Sequence, residues 1–316
     1  MRKSGVFRGM NCRSMAVASL LFWISYPGAV SQTAPASQSN WRSELLAWRE
    51  AQAKKLQAPD GWLSLAGLEW LNQGDNTFGS ASDNRIRIEA DVAPHLGVLR
   101  LSHNAVSLAA PPGGFPQGLL LDGHTPRAQV LASQDKPTIL TAGTFSMFVI
   151  HRGDRYALRL KDSHSSARLH FSGLKWYAPN EKYWIAARWI PYATTKMVKI
   201  PTILGTTIEM PVPGVAEFVI DGQTLRLEPV LESPKAAELF FILRDTTSKT
   251  TTYGAGRFLY TTFPDQGLNK PGKIWLDFNR LENPPCAYTS YATCPLPPPQ
   301  NRLPVALPTG EQRYHD

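Results

Sequence analysis

The chain has 316 residues and a formal net charge of +8, with 43% hydrophobic and 18% charged residues. This composition allows one large domain or two modest ones and excludes wholesale disorder. Four of the 33 basic residues lie within the first 14, where there is no acid, so the remainder carries only +4. Because that remainder has no long Lys/Arg run, we expect no nucleic-acid binding.

Residues 1–31 have the order of a secretory signal peptide. A basic region is followed by an apolar stretch of 12 residues, from Met15 to Tyr26, and by small residues up to Ser31. A membrane-spanning helix needs about 20 apolar residues, so no permanent membrane anchor is expected. We predict cleavage near Ser31 and a periplasmic or secreted protein. Met10 or Met15 is an alternative start.

Residues 32–58 are predicted to form a linker and an N-terminal helix. Asn40 can cap a helix over about residues 41–56, because Trp41, Leu45 and Trp48 recur at helical spacing. Turn-forming residues at 59–61 then end the helix.

Residues 59–165 are predicted to form a β-sandwich, because short strand-like runs alternate with turn signals throughout this range. The expected strands include 77–79, 85–88, 97–102, 105–108, 118–121, 128–131, 145–151 and 156–161. Arg155 and Arg159 fall on one face of the last strand. We interpret them as charges on the solvent-facing side of a sheet, with a functional role as the alternative.

Residues 166–316 are predicted to form a second antiparallel β-region. Its clearest hairpin joins 215–220 to 223–230 through Asp221-Gly222, a dipeptide that suits the turns favoured by strand twist. The other expected strands are 183–190, 238–244 paired with 257–261, and 273–278.

A proline-rich tail closes this second region. Residues 284–308 contain eight prolines, which cannot fill the interior of a sheet. We expect the tail to wrap the domain in extended conformation, pinned by a disulfide between Cys286 and Cys294. Inert thiols, or a redox or metal role, are the alternatives. No metal site is expected, because no His lies near the pair.

Four segments resemble the bacterial and archaeal DUF1684 family, a domain of unknown function. They are DGWLSLAGLEWL at 60–71, RGDRYALR at 152–159, TYGAGRFL at 252–259, and LDFN at 276–279 continued by NPPCAYTSYATCPLPP at 283–298. The resemblance runs over most of residues 41–315. It implies no activity and brings no catalytic residues.

A second resemblance is to forkhead-associated (FHA) sandwiches. Gly74, Gly79, Asn84 and the run from Pro94 match the early strands of that fold. Ser80 stands where FHA domains have a phosphate-binding Arg, and no Ser-Arg precedes the His of the run. The resemblance therefore implies an FHA-like β-sandwich over 59–165. The residues with which FHA domains bind phosphopeptides are not present at the matching positions.

The densest group of polar and aromatic residues follows residue 252. An Arg can hold a carboxylate or phosphate bidentately, and an Asp can act as an acid or base. The catalytic candidate is Asp277, which shares a strand face with Asn279. The ligand-binding candidates are Tyr253, Arg257, Asn279, Tyr288 and Arg302. The alternative is that Arg257, Asp277 and Asn279 form a structural network tying the tail to the sheet.

We therefore expect a mainly β, exported protein that binds a small anionic or sugar-like ligand. A cofactor-free hydrolase or lyase using Asp277 and Arg257, and a structural or protein-binding envelope protein, are the alternatives. No nucleotide, dinucleotide or hydrolase motif is present in the sequence, so no cofactor is expected. Aromatic residues between Trp176 and Tyr192 indicate core packing, with sugar binding as the alternative.

Overall fold

The computed structural model describes residues 38–134 and 136–315. The predicted signal peptide lies outside these residues. The first element is helix α1 (Gln38–Gln57), with Trp41 and Leu45 buried as the helical spacing predicts. Within the described ranges, no helix is long and apolar enough to span a bilayer.

The first β-region contains ten strands in two sheets. The strands are β1 (Leu65–Trp70), β2 (Gly74–Gly79), β3 (Ile86–Arg87), β4 (Gly97–Ser102), β5 (Ala105–Ala109), β6 (Leu120–Leu121), β7 (Gln129–Val130), β8 (Leu140–Ala142), β9 (Phe145–Arg152) and β10 (Arg155–Asp162). One sheet has the order β1-β10-β9-β8-β6, and the other has the order β3-β2-β4-β5-β7. All the pairings are antiparallel except β2 with β3.

The core of this region lies between the two sheets. Phe78 and Leu99 come from one sheet, and Met147, Leu158 and Leu160 come from the other. Since side chains alternate along a strand, the β10 residue between Leu158 and Leu160 points to the opposite, outer face, as do the residues at the same spacing on either side.

The second region contains six strands and a short helix, α2 (Ser166–Leu169). The strands are β11 (Trp184–Pro201), β12 (Thr207–Ile220), β13 (Gln223–Leu227), β14 (Glu238–Leu243), β15 (Arg257–Thr262) and β16 (Gly272–Asp277). They form the sheet β13-β12-β11-β16 and the antiparallel pair β14-β15. The predicted hairpin at Asp221-Gly222 is present, and both turn residues have positive φ, 48° and 77°.

The longest hairpin, β11–β12, was predicted only in part. Strand β11 has 18 residues and strand β12 has 14. The sequence pattern predicted that the first would end at residue 190 and that the second would begin at residue 215. Both strands contain prolines, at positions 191, 201, 211 and 213. The structure accommodates Pro191 at a register irregularity that extends to Lys196, a position where a sheet tolerates proline.

The aromatic residues of the second region pack helix α1 onto the sheet. Trp184 stacks on Trp41 with ring centroids 5.9 Å apart, and it contacts Trp275 at 5.0 Å. Trp48 meets Trp176 edge-on at 5.6 Å. Core packing therefore accounts for these tryptophans.

The tail from residue 284 adds no strand to either sheet. It contains 3-10 turns at Pro285–Ala287 and Pro299–Asn301 and otherwise makes isolated bridges, such as Arg244 with Arg302. The mainly β fold with a short N-terminal helix is confirmed. The FHA-like character of the first region stays a prediction.

Candidate functional site

Arg257 is the first of the predicted site residues, and it is almost completely enclosed. Its side chain is 1% exposed and donates to Asp245 Oδ2 at 2.7 Å and to the Leu307 carbonyl at 3.0 Å. It also donates to the carbonyl of Thr309. These acceptors belong to the protein, and two of them lie in the tail. The geometry therefore favours the structural alternative for Arg257.

Asp277 and Asn279 are likewise buried, at 2% and 0% exposure. They do not share a strand face, since β16 ends at Asp277 and Asn279 lies in the 3-10 turn that Asp277 caps. The Asp277 carboxylate accepts from the Trp41 indole at 2.9 Å and from the Asn279 backbone amide at 3.1 Å. Asn279 also accepts from the Thr309 hydroxyl at 3.0 Å. This pair joins helix α1, the sheet and the tail.

Tyr253 and Arg302 lie apart from that network. The Tyr253 hydroxyl donates to the Cys286 carbonyl at 3.0 Å, and burial raises the pKa of Tyr253 above its usual value. Arg302 is exposed, and its side chain donates a hydrogen bond, 3.3 Å long, to the Pro297 carbonyl. Among the described residues, no hydrogen bond or ring contact joins either side chain to Arg257.

Cys286 and Cys294 are free thiols in the structure. Their separation is nevertheless small, because the Cys286 backbone N–H donates to Cys294 Sγ at 3.2 Å. The hydrogen bond from the Cys294 thiol lowers the pKa of Cys286, whereas burial raises the pKa of Cys294 well above its usual value. The disulfide stays a prediction for an oxidising compartment.

Tyr288 is the predicted residue that faces an open cavity. Its hydroxyl donates to Glu311 Oε1 at 2.6 Å, and Glu311 is 1% exposed. Two further donors hold this carboxylate, the backbone and side-chain amides of Asn283, each at 2.8 Å. Burial nevertheless raises the pKa of Glu311 to about 7. The Tyr288 ring is therefore fixed in position from behind by a buried carboxyl.

The cavity beside Tyr288, called here the Tyr288 cavity, has a volume of about 350 Å³. It is lined by Ser166, Ala167, His170, Ser172, Gly173, Leu174, Lys175, Tyr288, Tyr314 and His315. Tyr288 and Tyr314 meet at 75° with ring centroids 5.0 Å apart. Its walls offer an ammonium, two imidazoles, hydroxyls and aromatic rings, and no carboxylate lines it among the described residues.

A second cavity, of about 320 Å³, is lined by Tyr192, Arg226, Glu228 and Gln300 together with Ile190 and Val215. Its polar groups bind one another. The Tyr192 hydroxyl and the Gln300 amide both donate to Glu228, and Arg226 pairs with Glu217 at 2.7 Å. None of the predicted site residues lies in this cavity.

The interpretation of Arg155 and Arg159 as solvent-facing charges is wrong for Arg159. Arg155 is exposed and lies over the Trp70 ring at 3.9 Å, whereas Arg159 is only 5% exposed. The outer face of β10 is covered near Arg159 by Trp62. The sequence shows that two side chains share a face, but not what covers that face.

Glu311 was not among the predicted site residues, since no local sequence pattern distinguishes a buried carboxyl in a coil segment from an exposed one. The burial of Arg159 could have been suspected from the sequence, because cations alternate with core leucines along β10. Among the described residues, no group of three or more His, Cys, Asp or Glu side chains is arranged to hold a metal ion.

These features define a mainly β protein whose second region is closed by a proline-rich tail anchored on buried ionic groups. Residues 169–312 match the family model described as "Protein of unknown function (DUF1684)". This match confirms, over that range, the resemblance that the motifs predicted. The matched range holds two of the four motifs, and those at 60–71 and 152–159 precede it.

A solved structure also matches the chain, an uncharacterized protein of Haloarcula marismortui determined by solution NMR. The two are 29% identical, with a TM-score of 0.40, and the match covers 46% of this chain and 78% of the other. A search of curated proteins found no match. The comparisons bring no activity to this chain.

Proposed function

We propose that this protein binds a small anionic, sugar-like ligand in the Tyr288 cavity. The observation that carries the proposal is the combination of a cavity of about 350 Å³ with a tyrosine of its wall, Tyr288, whose hydroxyl is anchored by a buried carboxyl. Ligand sites usually have volumes of about 300–1,000 Å³ and a few fixed polar groups.

The chemistry of the wall supports this ligand class. Lys175, His170 and His315 line the cavity, so a negative group would be attracted there by the ammonium and by the imidazoles when they are protonated. Tyr288 and Tyr314 offer ring faces against which a sugar can pack.

The hydrolase or lyase alternative has less support at Asp277 and Arg257. Both side chains are at most 2% exposed, and the Asp277 carboxylate and the Arg257 Nη1 and Nη2 atoms bond to the protein itself. A substrate would have to displace these bonds to reach the carboxylate. A structural role for Arg257 is supported by its bonds to the Thr309 and Glu311 carbonyls, which hold the segment around Glu311.

The test is a binding screen of the purified protein with hexose phosphates and uronic acids, by thermal shift and then calorimetry. A ligand that binds only the folded state raises the melting temperature. We expect Tyr288→Phe to weaken binding about tenfold, because it removes one hydrogen-bonding hydroxyl and keeps the ring.

The matched control is Tyr291→Phe, which changes an exposed tyrosine in the same tail segment. It should leave the affinity unchanged. Lys175→Met should reduce the affinity for charged ligands more than for neutral sugars. A panel without any saturable binding, or equal affinity in wild type and Tyr288→Phe, would reject the proposal and favour a structural or protein-binding role.

A further inference from the structure

A second feature, independent of the Tyr288 cavity, is a buried guanidinium that the protein does not satisfy. Arg159 is 5% exposed, and its Nε and Nη2 atoms are buried with no hydrogen-bond partner among the described residues. These two nitrogens form one edge of the guanidinium. That edge donates two parallel hydrogen bonds when an arginine binds a carboxylate or phosphate.

The neighbours of Arg159 add positive charge. Burial, and after it the positive charge of Arg152, lower the pKa of Arg159 to about 9. Lys161, also on the outer face of β10, is 6% exposed and donates to the Asp60 carbonyl. Arg152 donates to the Thr293 hydroxyl at 3.2 Å and to the His151 carbonyl at 2.9 Å. We call Arg152, Arg159 and Lys161 the basic cluster.

No carboxylate hydrogen-bonds to these three cations among the described residues. The Asp60 carboxylate acts on Lys161 only through its charge, and that interaction raises the pKa of Lys161 against the effect of burial. The acidic group that acts on Arg159 is the Cys294 thiol. Burial raises the pKa of that thiol well above its usual value, so the sulfur is neutral near pH 7.

The walls around the cluster are aromatic and belong to different parts of the chain. Arg159 Cζ lies 5.9 Å from the Trp62 ring centroid, and Lys161 Nζ lies 5.8 Å from that of Phe148. Trp62 also packs against the core that contains Cys294. The cluster therefore lies where the outer face of the first sheet meets the tail.

Burying a charge without a partner is costly, and an uncompensated buried guanidinium calls for an anion. We propose that the basic cluster binds a small oxyanion, held side-on by Nε and Nη2 of Arg159. Arg152 and Lys161 contribute charge, and Trp62 limits access by water. A free inorganic anion and the acidic group of a larger metabolite share this chemistry.

The experiment titrates the purified protein with phosphate, sulfate and acetate against chloride at constant ionic strength. Thermal shift and the NMR resonance of the Arg159 Nε–H are the two readouts. We expect a saturable response to at least one oxyanion in wild type and in the control Arg155→Met, which changes the exposed arginine of the same strand face. Arg159→Met should abolish the response, and Arg159→Lys should weaken it at least tenfold.

Arg159→Met also has an expected effect without any anion. Because it removes an uncompensated buried charge, its melting temperature should equal or exceed that of wild type in chloride. If this variant fails to fold, the NMR titration of wild type decides, and an unmoved Arg159 resonance overturns the proposal. A response equal in wild type and Arg159→Met also overturns it.

Two further arms use the same readouts. A response to phosphate that appears only in Cys294→Ala would show that the sulfur is the counter-ion, and would overturn the proposal. Phosphate and a phosphorylated sugar distinguish the two sources of the anion. If the sugar phosphate binds more tightly than phosphate and Arg159→Met removes both, the site accepts the acidic group of a metabolite. Equal affinities indicate a free anion.

Discussion

The anchoring of the tail by Arg257 can be tested by removing the guanidinium. In Arg257→Met, the buried Asp245 carboxylate loses a charged partner at 2.7 Å, and the carbonyls of Leu307 and Thr309 lose their donor. Asp245 keeps three neutral donors, the Thr247 amide and hydroxyl and the Leu307 amide. Those bonds reduce the penalty without supplying a positive charge.

The expected loss is about 3–5 kcal/mol of unfolding free energy, the usual cost of leaving one member of a buried ion pair without its partner. Chemical denaturation followed by tryptophan fluorescence measures it. Arg257→Lys should recover only part of the stability, since one ammonium cannot replace the forked set of donors.

Arg302→Met is the matched control, because Arg302 is exposed and its side chain donates a 3.3 Å hydrogen bond. It should change stability by less than about 0.5 kcal/mol. If Arg257→Met costs no more than this control, the tail is held by its apolar contacts alone. The structural account of Arg257 would then be refuted.

Two further predictions concern pH and the cysteines. Burial raises the pKa of Glu282 and of Glu311 to about 7, from a usual value near 4.5. Between these values the folded protein holds protons that the unfolded chain has released, so stability should fall as the pH rises from about 4.5 to 7. The slope should be up to about 1.4 kcal/mol per pH unit for each carboxyl. Urea titrations at several pH values measure it, and Glu311→Gln should flatten it; a stability that rises over this window would contradict the assignment. Cys286 and Cys294 should resist alkylation in protein recovered from an oxidising compartment until a reductant is added. Closing this short ring should stabilise the fold by about 2–3 kcal/mol, and free thiols in the exported protein would contradict the disulfide.

Much of the fold was predictable because its signals are local. The spacing of Trp41 and Leu45 predicted helix α1, and Asp221-Gly222 predicted the β12–β13 hairpin. The pairing of β14 with β15 was likewise expected from two apolar runs. The β11–β12 hairpin was underestimated, and only the paired strand reveals the register irregularity that accommodates Pro191.

The candidate site was less predictable, because its chemistry depends on contacts distant in sequence. The sequence brought Tyr253, Arg257, Asp277, Asn279, Tyr288 and Arg302 together as one group. The tertiary structure separates them into a buried network, a cavity wall, the half-buried Tyr253 and the exposed Arg302.

The sequence by itself determined the mainly β class, the N-terminal helix and the resemblance to the family whose model matches residues 169–312. The tertiary structure alone decided which charges are buried and which of them are paired. Alternation along β10 placed Arg155 and Arg159 on one face, but one is exposed and the other is enclosed. The physical reason is that periodicity is a property of one strand, whereas burial and charge compensation depend on the segments that pack against it.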